Sequence, residues 1–214
     1  MDKEKLITKI IFGVEDLSEV SFPVSEEVRQ NFEIAWDIWE NFPKIQRNLK
    51  LEFLKGLSKK IEKELPVKEY GFTVFKLNHK SNPELYISKP DWQESYQDKG
   101  IYAIGIAKWG KGLVVGIVKN NKNFETSKES KIISILQSLG YEKPDGEWIG
   151  HIAFTISDRE FYERILSDYG KLLEEALYYV EKVYKDLVEN KDLLNLFEES
   201  VKERKRELNL DGVA

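Results

Sequence analysis

The sequence predicts an α+β fold, in which an antiparallel sheet of about five strands with one covering helix is flanked by N- and C-terminal helical arms that pack together. Residues 67–156 contain strand-length runs of β-branched and aromatic residues, whereas residues 25–66 and 157–208 carry apolar residues at spacings of three and four. The clearest strand signal is 100–120, where two apolar arms flank Trp109-Gly110-Lys111 and predict a hairpin.

Composition indicates a globular chain with enough residues to bury a core. The 214 residues are 33% charged and 41% apolar. The absence of cysteine excludes disulfides, thiolate nucleophiles and thiolate metal sites, and fits a reducing compartment, so we expect a cytoplasmic protein. The first apolar run, Ile7–Val14, is too short to span a membrane. The predominance of Lys and Glu is compatible with a thermophilic source.

Four segments are predicted. Residues 1–24 form a short amphipathic helix and a linker, and residues 25–66 form a helical arm that begins after Ser25, a favourable N-cap. In this arm we interpret the apolar stripe as a core-facing surface; its members are Val28, Phe32, Ala35, Trp36 and Trp39. Pro43 is expected to stop or kink the helix, with a second helix following from about Lys44.

The third segment, 67–156, is the sheet with one helix, and the fourth, 157–214, holds the long C-terminal helices. Thr126 to Glu129 and Ser157 to Glu160 both have the spacing of a capping box, and each predicts a helix start. The second of these helices is expected to extend to about Glu189, which gives a length of roughly 45 Å if it is unbroken, and Gly170 is the position at which it could bend.

The net charge of −5 is unevenly distributed along the chain. Residues 67–131 carry a net charge of +4, which leaves −9 for the remainder. A positive local field attracts phosphate or an acidic protein. The alternative interpretation is that lysines beside strands keep the sheet edges soluble.

Aromatic residues alternate with lysines in this basic region. Aromatic faces can stack on bases while lysines neutralise phosphates, so the pattern predicts a binding surface. The candidate residues are Trp92, Tyr102, Lys108, Trp109, Lys111, Lys119 and Lys122. Ordinary packing between sheet and helix is the alternative explanation for the aromatic residues.

One cluster is a candidate for acid–base chemistry: Asp145, Glu147 and His151. The alternative is two surface carboxylates and a strand histidine. No nucleophile elbow, dinucleotide-binding fingerprint or Walker A loop is present in the sequence, and we expect no catalytic residue, cofactor or metal ligand.

The order of features resembles the C-terminal region of some bacterial PD-(D/E)XK-superfamily proteins, over about Ser25–Leu187. The matching features are Trp36-Asp-Ile-Trp39, the stretch from Phe42 to Leu49, the Gly- and aromatic-rich hairpin, Trp148-Ile-Gly150 and a long terminal helix. The superfamily's nuclease motif, an Asp followed by Glu-x-Lys on a neighbouring strand, is absent. The resemblance therefore implies an accessory or sensing domain without cleavage chemistry.

Three functional hypotheses follow from the sequence. The first is a non-catalytic intracellular binding or accessory module that contacts protein or nucleic acid and no membrane. The second is a metal-dependent nuclease or hydrolase that uses Asp145, Glu147 and His151. The third is a structural protein that forms a homodimer through its helical arms.

Overall fold

The computed structural model describes residues 3–77, 83–92, 101–109, 112–119 and 125–211. Its helices and strands follow in chain order: α1 (Lys3–Phe12), α2 (Glu26–Glu64), β1 (Thr73–Leu77), β2 (Glu84–Ser88), β3 (Tyr102–Trp109), β4 (Gly112–Lys119), α3 (Glu129–Ser138), β5 (Trp148–Thr155), α4 (Asp158–Ser167), α5 (Tyr169–Glu189) and α6 (Lys191–Asp211). Among the described helices, none combines the length and the apolar character needed to cross a membrane.

The chain divides into two compact units, Met1–Asn48 and Leu49–Ala214. The first unit contains α1 and the N-terminal part of α2. The second contains the remainder of α2, the sheet and the other helices.

The sheet of the second unit is a five-stranded antiparallel meander in the order β1-β2-β3-β4-β5. The central pair β3 and β4 keeps one register from Tyr102 opposite Lys119 to Trp109 opposite Gly112. This sheet, together with the helices before and after it, confirms the predicted α+β fold, including the hairpin arms within 100–120. The hairpin's turn lies outside the described residues.

One sheet face forms the main core. Ile104 and Ile106 of β3 and Val115 and Ile117 of β4 are at most 2% exposed, and they cluster with the helices. Helix α5 lies along β3 and β4, and α3 packs against β5 and α6. The other face has a separate small cluster that contains no helical residue among those described; its members are Tyr86, Ala103 and Val118, with Phe75 and Trp148 packed against them.

Two interior strand glycines face each other across the central hairpin, Gly105 on β3 and Gly116 on β4. A Cβ on Gly116 would lie 2.3 Å from the carbonyl oxygen of Gly150 on β5. A Cβ on Gly105 would meet the side chains of Val118 and Trp148. The missing side chains therefore leave room for a neighbouring strand and for an indole ring, as expected for glycine inside a strand.

From Leu49 onward, α2 packs against the C-terminal helices, as expected for arms that pack together. The rings of Phe53 and Phe161 meet edge-on with their centroids 5.1 Å apart. The Tyr169 hydroxyl donates to the Glu52 carbonyl oxygen at 2.9 Å. This hydroxyl lies where a side chain at Gly56 would sit, so the glycine permits the close approach of α5 to α2.

Two expected helix boundaries are wrong. Pro43 lies inside α2 and neither ends it nor separates two helices, because a helix can continue past proline when it forgoes one backbone hydrogen bond. The expected long C-terminal helix is instead two helices, α4 and α5. The break falls at Asp168, whose φ of −146° and ψ of 44° lie outside the helical range, and Gly170 lies inside α5.

The two predicted capping boxes differ in outcome. Ser157 caps α4, since its hydroxyl accepts a hydrogen bond from the Glu160 amide at 3.2 Å. The box at the start of α3 is not formed, because tertiary partners take both of its side chains. The Thr126 hydroxyl bonds Ser200 of α6 at 3.0 Å, and the Glu129 carboxylate pairs with Lys119.

Candidate functional site

Four side chains of the predicted base-stacking surface are buried in the second unit. Trp92 is 2% exposed and Tyr102 is 0% exposed, and both rings pack against Phe197 of α6. Their faces therefore take part in packing between sheet and helix, which is the alternative that the sequence left open. In this arrangement neither ring presents a face to a base in solvent.

The two described lysines of the same set are also buried, and each is paired with a carboxylate. Lys108 Nζ lies 2.7 Å from Asp158 Oδ1 at the start of α4, and Lys119 Nζ lies 2.6 Å from Glu129 Oε1 at the start of α3. A paired, buried ammonium group offers little field to a phosphate in solvent. These two lysines therefore act as links between the sheet and its helices.

The other members of the set are described partly or not at all. Lys111 and Lys122 lie outside the described residues. The backbone of Trp109 ends β3. The structure therefore leaves the predicted surface at the hairpin tip as a prediction.

The candidate acid–base residues lie around the start of β5. Asp145 is exposed in the preceding loop, where its backbone pairs with Trp148. His151 is buried on β5, and its Nε2 lies 3.5 Å from the carboxylate of Glu142. Within the described part of the chain, no group of three or more His, Asp or Glu side chains could hold a metal ion.

In the first unit, the apolar stripe of α2 is exposed and does not face a core. The α2 stripe that begins at Val28 was expected to face a core, but no residue from Lys3 to Asn48 is buried. Phe32, Trp36 and Trp39 follow one another along the helix, with ring centroids 6.1 and 5.2 Å apart and exposed fractions of 47%, 49% and 68%. Three adjacent aromatic rings at this exposure are unusual on a solvated helix.

Four further apolar side chains widen the stripe, and all four are exposed: Ile34, Ile38, Phe42 and Ile45. With about 100° of rotation per residue, these four and the three aromatic residues cover roughly 200° of the helix circumference. We call these seven residues the apolar face. A helix that packs on a core with one side needs an apolar stripe of only about 100°. The greater width of this face is therefore a signal in the sequence that the stripe does more than pack on a core.

Acidic residues dominate the opposite side of this helix and its beginning. Residues 26–40 contain five acidic residues and one basic residue, for a net charge of −4. Residues 41–48 contain Lys44 and Arg47 and no acidic residue. The Trp36 indole donates to Glu40 Oε1 at 2.9 Å, which fixes one edge of the apolar face to the polar side.

A second surface feature lies between α3 and α6 in the second unit. Ser127 donates its amide and its hydroxyl to the carboxylate of Glu203 at 3.1 and 3.0 Å. An open groove beside this contact has charged residues of both signs in equal number; its lining is Ser127, Lys128, Glu199, Lys202, Glu203, Arg206 and Glu207. Because the charges balance, the groove favours neither an anionic nor a cationic ligand, and its ion pairs suit the packing of one helix against another.

Comparison with known proteins does not assign a function. No family model matches the chain, and neither a curated protein nor a solved structure matches it.

Proposed function

We propose that this protein is a non-catalytic binding module that contacts another protein chain through the apolar face of α2. The observation that carries the proposal is the exposed series of rings at Phe32, Trp36 and Trp39. Large exposed apolar patches mark interaction sites, and aromatic side chains dominate the energy of protein interfaces. An accessory role, as the resemblance implied, is compatible with such a surface, and the cytoplasm is the compartment we propose.

Charge favours a protein partner over nucleic acid. The helix that carries the apolar face has a net charge of −4 over residues 26–40. A phosphate backbone would be repelled by this helix, whereas nucleic-acid-binding surfaces are basic. The burial of Lys108 and Lys119 removes two of the cations proposed for the sheet surface.

Photo-crosslinking tests the proposal directly. A photoreactive phenylalanine analogue replaces Trp39, at the centre of the apolar face, in the full chain expressed in its source cells. The matched control places the same analogue at Glu33, an exposed position on the polar side of the same helix. We expect discrete protein adducts from position 39 and none from position 33.

Two results would contradict the proposal. Equal adduct yields at positions 39 and 33 would mean that the apolar face has no preference for a partner. Adducts to nucleic acid in place of protein would mean that the apolar face binds nucleic acid.

A further inference from the structure

We infer that the partner of the apolar face is a second copy of this chain, docked antiparallel about a two-fold axis near the middle of Glu26–Asn48. This inference rests on the proposed function, because it names the chain that the face contacts. It is carried by three observations: the area of the face, its position in the helix and the distribution of charge along it.

The area matches one side of a stable interface. The seven side chains are 47–68% exposed, and a large side chain presents about 200 Å² when fully exposed, so the face offers roughly 750 Å² to a partner. A standard interface buries about 800 Å² on each partner. The face is also larger than the apolar patch of a typical monomer, which is about 300–600 Å².

The position of the most exposed residue suits two-fold symmetry. Trp39 is 68% exposed and lies close to the midpoint of Glu26–Asn48, with Ile38 beside it. Because a two-fold axis places the same residues of both copies at the centre, the largest apolar side chains would be buried there. Energetically dominant residues lie near the centre of interfaces, with the polar residues at the rim.

The charge distribution selects the antiparallel orientation. Residues 26–33 have a net charge of −2, and residues 44–48 have a net charge of +2. Antiparallel copies bring these opposite ends together twice, once on each side of the axis. Parallel copies would place −2 beside −2 and +2 beside +2, which is unfavourable.

A lipid surface is the alternative occupant that charge disfavours. Helices that lie on membranes carry Lys and Arg on the polar side, where they meet anionic headgroups. Here the polar side is acidic and includes Glu33, Asp37 and Glu40, all of them exposed. A protein partner with a basic segment would complement this acidic side, and residues 44–48 of a second copy are such a segment.

Charge reversal at exposed positions gives the first test, with the mass of the full chain measured by sedimentation equilibrium at low salt. One variant, Glu27→Lys with Glu33→Lys, makes both ends positive, and a second, Lys44→Glu with Asn48→Glu, makes both ends negative. All four positions are exposed, so neither variant needs repacking. We expect a dimer for the wild type and a dissociation constant raised at least about tenfold in each variant. Mixing the two variants should restore the dimer.

Disulfide trapping tests the orientation, since the chain has no cysteine of its own. Ile38→Cys, near the proposed axis, should link to itself, whereas Phe32→Cys should link to Ile45→Cys in a mixture and not to itself. Self-linking at both positions 32 and 38 would indicate parallel copies and would overturn the antiparallel arrangement.

The two proposals fail in distinguishable ways. A wild type that stays monomeric up to about 100 µM, with position-39 adducts to a different protein, overturns the second-copy partner and keeps the binding function. Monomers that bind phospholipid vesicles overturn both. A dimer whose mass is unchanged in the two charge variants would also overturn the inference.

Discussion

The ion pair between Lys119 and Glu129 joins β4 to the first residue of α3, and its disruption gives the sharpest stability prediction. Both residues lie in the core, with 4% and 8% exposure, and their charged atoms are 2.6 Å apart. Glu129→Gln keeps the size of the side chain but removes the negative charge 2.6 Å from the buried ammonium group. Removing one partner of a buried pair costs about 3–5 kcal/mol.

The measurement is equilibrium unfolding in urea, followed by near-UV circular dichroism from the aromatic core of the second unit. In thermal unfolding, the same loss of about 3 kcal/mol would lower the melting temperature by roughly 6–12 °C for a unit of this size. The matched control is Glu199→Gln, which removes a carboxylate 3.7 Å from Lys128. The side chains of Lys128 and Glu199 are 40% and 58% exposed, so we expect a cost below about 0.5 kcal/mol.

A double variant distinguishes charge burial from packing. Replacing both residues with apolar side chains of similar size, Lys119→Met with Glu129→Leu, removes the uncompensated charge, so we expect most of the lost stability to return. If Glu129→Gln costs no more than the Glu199 control, or if the double variant is as unstable as the single one, the buried charges of this pair do not determine its effect on stability.

Two further predictions concern the same unit. Gly116→Ala should cost about 3 kcal/mol or more in unfolding free energy, because its Cβ would overlap the Gly150 carbonyl oxygen. Gly170→Ala, which has open space around it in α5, should stabilise the protein by about 0.5–1 kcal/mol. The urea midpoints of both variants test this, and similar effects at the two sites would contradict it. Burial raises the pKa of Tyr102 to about 12, whereas an unfolded tyrosine ionises near pH 10. The contribution of Tyr102 to the unfolding free energy should therefore be constant below pH 10 and fall by about 2–3 kcal/mol between pH 10 and 12. A pH series of urea titrations on the wild type and on Tyr102→Phe would measure it as the difference between the two.

Periodicity predicted the fold well where local pattern and tertiary structure agree. The hairpin arms within 100–120 and the Ser157 cap need only nearby residues, and both are present. The capping box at Glu129 failed because a lysine ten residues earlier in the chain competes for the same carboxylate. Partners brought together by the sheet cannot be identified from spacing alone.

The candidate site was harder to predict because periodicity shows which residues share a face and not what the face meets. The stripe at Phe32, Trp36 and Trp39 had the spacing of a core surface, yet all three residues are exposed. For the same reason, the aromatic residues Trp92 and Tyr102 had the composition of a stacking platform but pack against Phe197. The width of the apolar arc was the usable signal, since it exceeded what one core contact requires.

The meander order of the sheet affects how the chain acquires its structure during synthesis. Neighbouring strands of the sheet are also neighbours in the sequence. Strands β1 to β4 can therefore pair one after another as they leave the ribosome, before distant segments are made. Helices α5 and α6, which cover the main core face, follow β5 in the sequence and are made after the whole sheet. A nascent chain stalled before Tyr169 would therefore display an open apolar sheet, and this is the stage at which a chaperone would be of most use.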